Sequence, residues 1–325
     1  MKINIPTISV IIPCFNSEKW IRETLESVIG QGLNDIEIIV VDDGSTDSSA
    51  QIVKDEFPSV RLIKTGNQGA SKARNIGTDS SSGEFIQYLD ADDMLAPGKL
   101  KLQLGTLKTS GADIAYGDWQ KLIKAGSGGY VKGKIVSRRI QNPEIDLFTT
   151  DSWCPMAAYL FRRSIVEKIG GWNERLPVIE DVRFQTDCAL SGAKFIYCPG
   201  MMGYFRVQYK DSLSTRDPIS FVKCCLLNTG EVEEWWIEHG GIDAERKAAL
   251  IRAYEYVARS SFDKDIGVFE TAYAALKRLR PGYLPENSKR LHFMSRLVGY
   301  KNAERAALLY RKVKTILAID MTGSA

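Results

Sequence analysis

The sequence predicts an α/β protein, with a mainly parallel sheet flanked by helices and a helical region at the C-terminal end. Three observations predict it. Short apolar runs alternate with helical periodicities over the first 115 residues. Such alternation needs crossover connections, which lay strands parallel and cover the sheet on both faces. Several of the apolar runs end abruptly in polar or acidic clusters, as buried parallel strands do at their carboxyl ends. After Pro218 the apolar positions recur at helical spacing to the end, broken near Pro281–Pro285.

The elements follow in order. Ile8–Ile12 is a short apolar run ending at Pro13, which suits a buried strand. Trp20, Ile21, Leu25, Val28 and Ile29 repeat at helical spacing, and Gly30 and Gly32 stop that helix. Ile36–Val41 is a second buried strand running directly into Asp42-Asp43-Gly44. A weaker helix extends to Phe57, followed by a strand near Val60–Ile63 and a short helix over Ala70–Ile76. Phe85–Leu89 is a strand ending in Asp90-Ala91-Asp92-Asp93. Pro97 opens a helix with Leu100, Leu104 and Leu107 on one face, and Ile114–Tyr116 is a fifth strand. Beyond it, Gly126–Gly129 reads as a loop, Ala157–Phe161 and Lys194–Tyr197 as strands, and Asp181–Ser191 as a helix. The expected organisation is residues 1–116, residues 117–217 as the second half of the same domain, and a helical region over 218–325.

Composition narrows the function. The 325 residues are 44% apolar and 26% charged, an ordinary globular balance that excludes disorder and collagen-like repeats. A net charge of +3 does not by itself imply nucleic-acid binding. The charge is uneven, since residues 271–325 hold 11 Lys/Arg against 3 Asp/Glu, a net of +8. The six cysteines include no Cys-x-x-Cys pair and there are two histidines, so a structural zinc site is not expected. The cysteines read as mostly buried thiols of a reducing compartment. No apolar run reaches the ~20 residues of a membrane span, and Ile8–Ile12 is too short for a signal peptide. The expected location is cytoplasmic.

Ligands of a parallel α/β sheet sit outside the carboxyl ends of its strands. Three clusters fall there: Pro13–Asn16, Asp42–Asp47 and Asp90–Asp93. One such cluster is commonly a turn or a helix cap; three on one sheet edge point to a site. Asp90-x-Asp92 offers two carboxylates on a tight turn. They suit a hard divalent cation that keeps waters and takes phosphate oxygens as its other ligands. Asn67-x-Gly69-x-Ser71-x-Ala73-Arg74-Asn75-x-Gly77 is a second signal. Gly69 allows close backbone approach, and Arg74 can face phosphates or pair with a carboxylate. Gly170-Gly171-Trp172-Asn173-Glu174 precedes Glu180-Asp181 at a helix start, where the dipole favours an ionised carboxylate able to act as a general base.

With these segments in hand, the sequence resembles family 2 glycosyltransferases of GT-A fold. The resemblance is carried by Ser9–Asn16, Val41–Asp47, Asn67–Gly77, Tyr88–Asp93 and Gly170–Asp181, in the family's order and approximate spacing over residues 7–215. It implies a Rossmann-like GT-A domain and inverting transfer of a sugar from a nucleotide-diphospho donor, UDP by family frequency, with Mg²⁺ or Mn²⁺. It implies that Pro13, Phe15, Asn16 and Asp43 line the base pocket, with Gly69 and Arg74 by the diphosphate. Asp90 then meets ribose or metal, Asp92 is the main metal ligand, and Asp181 deprotonates the acceptor hydroxyl. Trp153, in Ser-Trp-Cys-Pro, and Glu180 fall in the acceptor region. Gln208 stands about where relatives carry a His before the Ser212-Leu-Ser214 stretch, which puts a second-domain metal ligand in doubt.

The chemistry agrees with that division. Charge grows on a leaving diphosphate, which a cation stabilises. The sugar becomes oxocarbenium-like, and a base on the opposite face yields inversion. Other classes fit less well. No Gly-x-Gly-x-x-Gly follows the first strand. Gly128–Lys134 matches part of a P-loop, but Ile135 replaces the required Ser/Thr. A sugar nucleotidyltransferase needs a Gly-rich basic loop after its first strand, which Pro13–Asn16 lacks. A non-catalytic carbohydrate-binding relative would have lost Asp92 or Asp181, and both are present. Trp119 and Trp172, like Trp235 and Trp236, read as packing residues. In the tail, Leu291, Met294, Leu297 and Val298 share a helical face, as do Ala307, Tyr310, Val313 and Leu317, with basic residues beside both. Such helices lie on an anionic membrane or pack on their own domain, and the sequence leaves both open. The expected partners are a nucleotide-sugar donor, a saccharide or lipid-linked acceptor and, on the first alternative, the inner membrane face.

Overall fold

The computed structural model describes residues 6–126, 129–207, 217–286 and 288–310. The chain divides into two compact units, Met1–Arg216 and Asp217–Ala325. Gln208, Ser212–Ser214, Val313, Leu317 and the middle of the Gly126–Gly129 loop lie outside the described residues.

In the first unit β1 (Ile8–Cys14), α1 (Ile21–Ile29), β2 (Ile36–Asp42), α2 (Ser49–Glu56), β3 (Arg61–Lys64), α3 (Ala70–Asp79) and β4 (Phe85–Tyr88) alternate. There follow β5 (Met94–Leu95), α4 (Lys99–Ser110), β6 (Ile114–Lys124), β7 (Tyr130–Val136) and α5 (Pro143–Phe148). A 3-10 turn at Met156–Ala158 leads into β8 (Tyr159–Arg162), α6 (Arg163–Lys168), α7 (Glu180–Leu190) and β9 (Phe195–Val207). The sheet order is β3-β2-β1-β4-β8-β6-β9-β5, with β7 on the outside of β6. β3, β2, β1 and β4 are parallel, so their carboxyl ends share one edge. β8 runs antiparallel to both β4 and β6, while β6 and β9 are parallel.

Side chains of a strand alternate between faces. Ile8, Val10 and Ile12 of β1 pack with Leu25 and Val28 of α1, Val53 of α2 and Leu100 of α4. Ile11 faces the other way, in a cluster with Tyr88, Trp172 and Phe184. α3 lies against β1 and β2 because Gly77 leaves room. A Cβ there would sit 2.4 Å from Ile11 Cγ2 and 3.3 Å from Val41 Cγ2. Five of the six cysteines are buried and Cys225 is half-buried. Burial pushes the thiols of Cys14 and Cys154 up to about 12, which removes thiolate reactivity. Under α4 a polar layer crosses the core. The buried Lys99 ammonium donates to Gln87 and to the Tyr159 carbonyl, and Gln103 donates to the carbonyl of Ala158.

Four strands depart from the sequence expectation: β5 at Met94–Leu95 was not expected, β9 runs past Tyr197 to Val207, and β6 and β7 differ as well. β6 runs on to Lys124, well past Tyr116, with bulges against β9 after Tyr116. β7 was not expected at all, because both of its faces are largely exposed and carry no apolar stripe to read. The fourth helix begins at Lys99 rather than at Pro97, after Gly98 in a left-handed conformation.

The second unit is helical: α8 (Pro218–Glu238), α9 (Ala244–Ser261), α10 (Ile266–Leu279), α11 (Lys289–Val298) and a further helix over 300–310. The first four are capped by Asp217, Asp243, Asp265 and Ser288, whose side chains accept first-turn N–H groups. Trp236 is fully buried. Buried Glu233 accepts from Tyr254 at 2.7 Å and Arg278 at 2.8 Å.

Gly77→Ala should lower stability by about 1–3 kcal/mol, because β1 and β2 cannot retreat from the added methyl. Thermal unfolding should report this as a fall of about 3–10 °C in Tm, and an unchanged Tm would mean that α3 does not lie so close to the sheet.

Candidate active site at the carboxyl edge of the sheet

The site grows from the ends of β1, β2 and β4. Just past β1, Phe15 is 44% exposed and Asn16 adopts a left-handed conformation (φ 50°). The backbone turns there, and Asn16 locks the turn to the next strand end. Its amide N–H donates to Ser45 Oγ at 2.9 Å, and its Oδ1 accepts from Thr46 N at 2.8 Å. Pro13 sits in register with Val41. Asp43 is buried, and its carboxylate accepts from Thr65 Oγ1 (2.8 Å), Gln68 N (2.8 Å) and Gly69 N (2.7 Å). Asp43 thereby shapes the loop that delivers the chain to α3. Gly69 takes φ 95°, a conformation that L side chains rarely adopt, and starts α3.

α3 carries the pivotal side chain. Arg74 is 3% exposed. Its Nη2 pairs with Asp90 at 2.6 Å and its Nη1 with Glu180 at 3.3 Å. Its guanidinium lies 4.2 Å over the Trp172 ring, which stacks in turn on Phe184 at 4.1 Å. Burial alone would lower the Arg74 pKa, but Asp90 and Glu180 outweigh it and hold the group firmly charged. The next residue, Asn75, clamps the Gly170–Glu174 segment. Trp172 N donates to Asn75 Oδ1 at 2.8 Å, and Asn75 Nδ2 donates to Trp172 O at 3.0 Å and Glu174 at 2.8 Å. Lys72, itself partly exposed, pairs with Glu174 at 3.1 Å.

The acidic turn after β4 is fixed from three sides. Arg74 holds Asp90. Thr24 Oγ1 of α1 lies within 2.9 Å of Ala91 O and 2.8 Å of Asp93 O. Arg206 of β9 donates to the Asp92 carbonyl through Nη1 and to Asp93 Oδ1 through its backbone N–H at 2.9 Å. Arg206 is itself held by Glu23 at 2.5 Å. Burial, then the charges of Asp92 and Asp90, push the Asp93 carboxyl well above the usual range. Asp90 and Asp92 remain partly exposed on this turn.

The opposite wall is the start of α7. Ile179, just before it, takes φ 61°, a strained conformation for a β-branched residue. Asp181 Oδ2 accepts from Trp153 Nε1 at 2.7 Å and its Oδ1 from Val182 N at 2.8 Å. Burial is the largest influence on Asp181 and raises its carboxyl, against the lowering effect of those donors. Burial likewise lifts Glu180 to about 7, with Arg74 opposing and Asp181 adding to the rise. The Trp153 ring meets Trp119 at 5.6 Å and Phe205 at 5.7 Å, edge to face in both cases. Trp119 and Trp172 are 3% exposed and serve packing.

Several of the residues singled out in the sequence are thus brought together in pairs. Asn16 meets the segment after Asp43; Asp43 meets Gly69; Arg74 meets Asp90 and Glu180; Asp181 meets Trp153. Thr24, Asn75 and Arg206 were not singled out, although Asn75 lies inside a quoted motif. Arg206, in Tyr-Phe-Arg-Val, gives no local signal of its partners 113 residues and more away. Among the described residues no group of three or more His, Cys, Asp and Glu is placed to hold a metal. A cation that keeps waters and binds phosphate needs only one or two protein carboxylates, and the all-oxygen pair on the Asp90–Asp92 turn fits that case.

Comparison with known proteins follows the same segments. The family model for glycosyl transferase family 2 matches residues 9–170. A protein of Haemophilus influenzae described as an uncharacterized glycosyltransferase is 37% identical over 121 residues, covering 36% of this chain and 48% of the relative. A similarly described Nostoc protein is 32% identical over 175 residues, covering 50% of this chain and 52% of the relative. The chain therefore spans about half the length of these relatives. The crystal structure of S. aureus TarS 1–349 in complex with UDP-GlcNAc superposes with a TM-score of 0.60 at 21% identity, over 94% of this chain and 92% of that one. That likeness establishes a GT-A fold followed by C-terminal helices.

Removing Arg74 should strand Asp90 and Glu180 beside an apolar ring. Arg74→Ala is expected to cost about 3 kcal/mol in chemical denaturation. Arg74→Lys should recover little of it, because an ammonium cannot fork to two carboxylates. Wild-type stability in either variant would contradict the arrangement.

Proposed function

Because residues 9–170 place this chain in glycosyl transferase family 2, we propose that it transfers a sugar with inversion, from a nucleotide-diphospho donor to an acceptor hydroxyl. The observation that carries the proposal is Asp181 at the start of α7, held by Trp153 and joined through Glu180 and Arg74 to the acidic turn. UDP is the proposed nucleotide, supported by the UDP-GlcNAc bound to the S. aureus TarS of similar fold.

In this reading Pro13, Phe15, Asn16 and Asp43 border the base, and Gly69 and Arg74 lie toward the diphosphate. Asp92, with Asp90 beside it, would hold Mg²⁺ or Mn²⁺, which neutralises charge gathering on the leaving diphosphate. Asp181 takes the proton from the acceptor hydroxyl. Its two N–H donors orient the carboxylate and oppose the rise that burial imposes on its pKa. Trp153 therefore acts as a positioning residue for the base, and its indole N–H is engaged with Asp181 rather than with an acceptor. A single carboxylate in this role favours inversion over a two-step, double-displacement route.

The acceptor is proposed to be a saccharide or a lipid-linked saccharide. Peripheral contact with an anionic membrane is supported by α11, where Phe293 (61%), Leu297 (65%) and Val298 (45%) are exposed beside Arg290 and Arg296. No helix among the described residues is long and apolar enough to cross a membrane.

The test is the pH profile of turnover. A base must be ionised to accept a proton, so raising its pKa moves the acid limb to higher pH. The wild-type limb should lie above the ordinary carboxylate value of ~4. Asp90→Asn removes a neighbouring charge that raises Asp181 and should move it down. Trp153→Phe removes a donor to the carboxylate and should move it up. Asp181→Asn should keep donor binding and lose about 10²–10⁴ in rate; retained turnover would reject Asp181 as the base.

A further inference from the structure

Between Trp119 and Gln141 the chain carries Lys121, Lys124, Lys132, Lys134, Arg138 and Arg139 and not one Asp or Glu. β6 and β7 fold this stretch back on itself, with Leu122 opposite Lys132 and Lys124 opposite Tyr130. Tyr130 and Lys132 lie on one face of β7, and the pairing brings Lys124 to it, while a register shift between Gln120 and Leu122 turns Lys134 to the other face with Lys121, so the hairpin carries cations on both faces. All six cations are exposed. Arg139 reaches Asp118 at 3.9 Å and lies over Tyr197. Among the described residues the other five have no carboxylate partner. Lys121 instead lies 5.9 Å from the Trp119 ring and Lys132 4.9 Å from the Tyr204 ring.

Lysines on an edge strand deter edge-to-edge pairing, and that accounts for Lys132 and Lys134. It does not account for Lys121 and Lys124, on a strand with neighbours on both sides, or for the two arginines beyond β7. Like charges crowded on one hairpin repel one another, whereas a one-sign patch draws an anionic ligand. The patch also touches the site at both ends. Tyr130 covers the Arg206 guanidinium at 4.9 Å, and Arg206 grips the Asp92 carbonyl. Lys121 adjoins Trp119, whose ring meets the Trp153 that holds Asp181.

We propose that the β6–β7 hairpin docks the acceptor, and that the acceptor is a chain bearing repeated phosphate groups. Ammonium groups suit such a ligand as point charges, and their spacing along the hairpin lets several phosphates bind while one hydroxyl lies at Asp181. The inference rests on the reading of Asp181 as the base.

The experiment measures binding of long-chain inorganic polyphosphate to the full chain. Lys121, Lys124, Lys132 and Lys134 are all changed to Gln, and a control changes Lys289, Arg290, Arg296 and Arg305 to Gln. Both remove the same charge, and UDP binding checks the fold of each. The hairpin variant should lose about tenfold or more in affinity at ~0.15 M salt, and the control should stay within about twofold. Changing the four hairpin lysines to Arg should keep the affinity. Equal losses in the hairpin variant and the control would reduce the effect to net charge and overturn the proposal. Loss of binding to phosphatidylglycerol vesicles by the hairpin variant, with polyphosphate affinity intact, would also overturn it and make the occupant a membrane. Turnover by Asp181→Asn reports separately on the base, so the two readings can fail independently.

Discussion

One buried guanidinium ties the carboxyl edge of the sheet together. Arg74 binds the acidic turn after β4 with one arm and the start of α7 with the other, and its face is covered by Trp172. These segments are far apart in sequence and would otherwise repel, since Asp90, Glu180 and Asp181 all present carboxylates to one region. A charge removed from water needs partners of the opposite sign and full hydrogen bonding. Arg74 supplies the counter-charge, and the fork geometry of guanidinium lets it reach two carboxylates at once. The acidic turn and the start of α7 are thereby held together by one side chain.

The same logic extends outward. Thr24 and Arg206 hold the backbone of the acidic turn, which lets its carboxylates stay close despite their repulsion. Asp93 is the buried member and its pKa rises accordingly; Asp90 and Asp92 stay partly exposed. Asp43 uses its charge inside the fold, collecting N–H and hydroxyl donors from the loop before α3. Asp181 is oriented by two N–H donors. Five acidic positions that look alike in the sequence are thus set in different surroundings by burial and by the donors around them.

That contrast explains what could be read from the sequence. The strand ends were legible because an apolar run followed by Asp or Asn is a local pattern, and the same holds for the α7 start. The alternative considered for Arg74, an ion pair with a carboxylate, is what the structure shows, but its second partner, Glu180, lies 106 residues away. The Trp153–Asp181 bond spans 28 residues and has no periodicity to announce it. β7 was missed because a strand exposed on both faces shows no alternation, and β6 was cut short because its buried pattern ends where the hairpin leaves the core. Pairings between distant elements depend on the tertiary fold, and neither spacing nor composition encodes them.

The central claim is that the carboxyl edge of the sheet is a nucleotide-diphosphate site whose metal is held by Asp92. Calorimetric titration of UDP, with and without Mn²⁺, on the wild-type chain and on Asp92→Asn tests it most directly. The account predicts one UDP per chain, bound about tenfold or more tightly with Mn²⁺, an increment of ~1.4 kcal/mol or more that Asp92→Asn abolishes. A folded chain that binds no UDP, or a Mn²⁺ increment that survives the substitution, would contradict it.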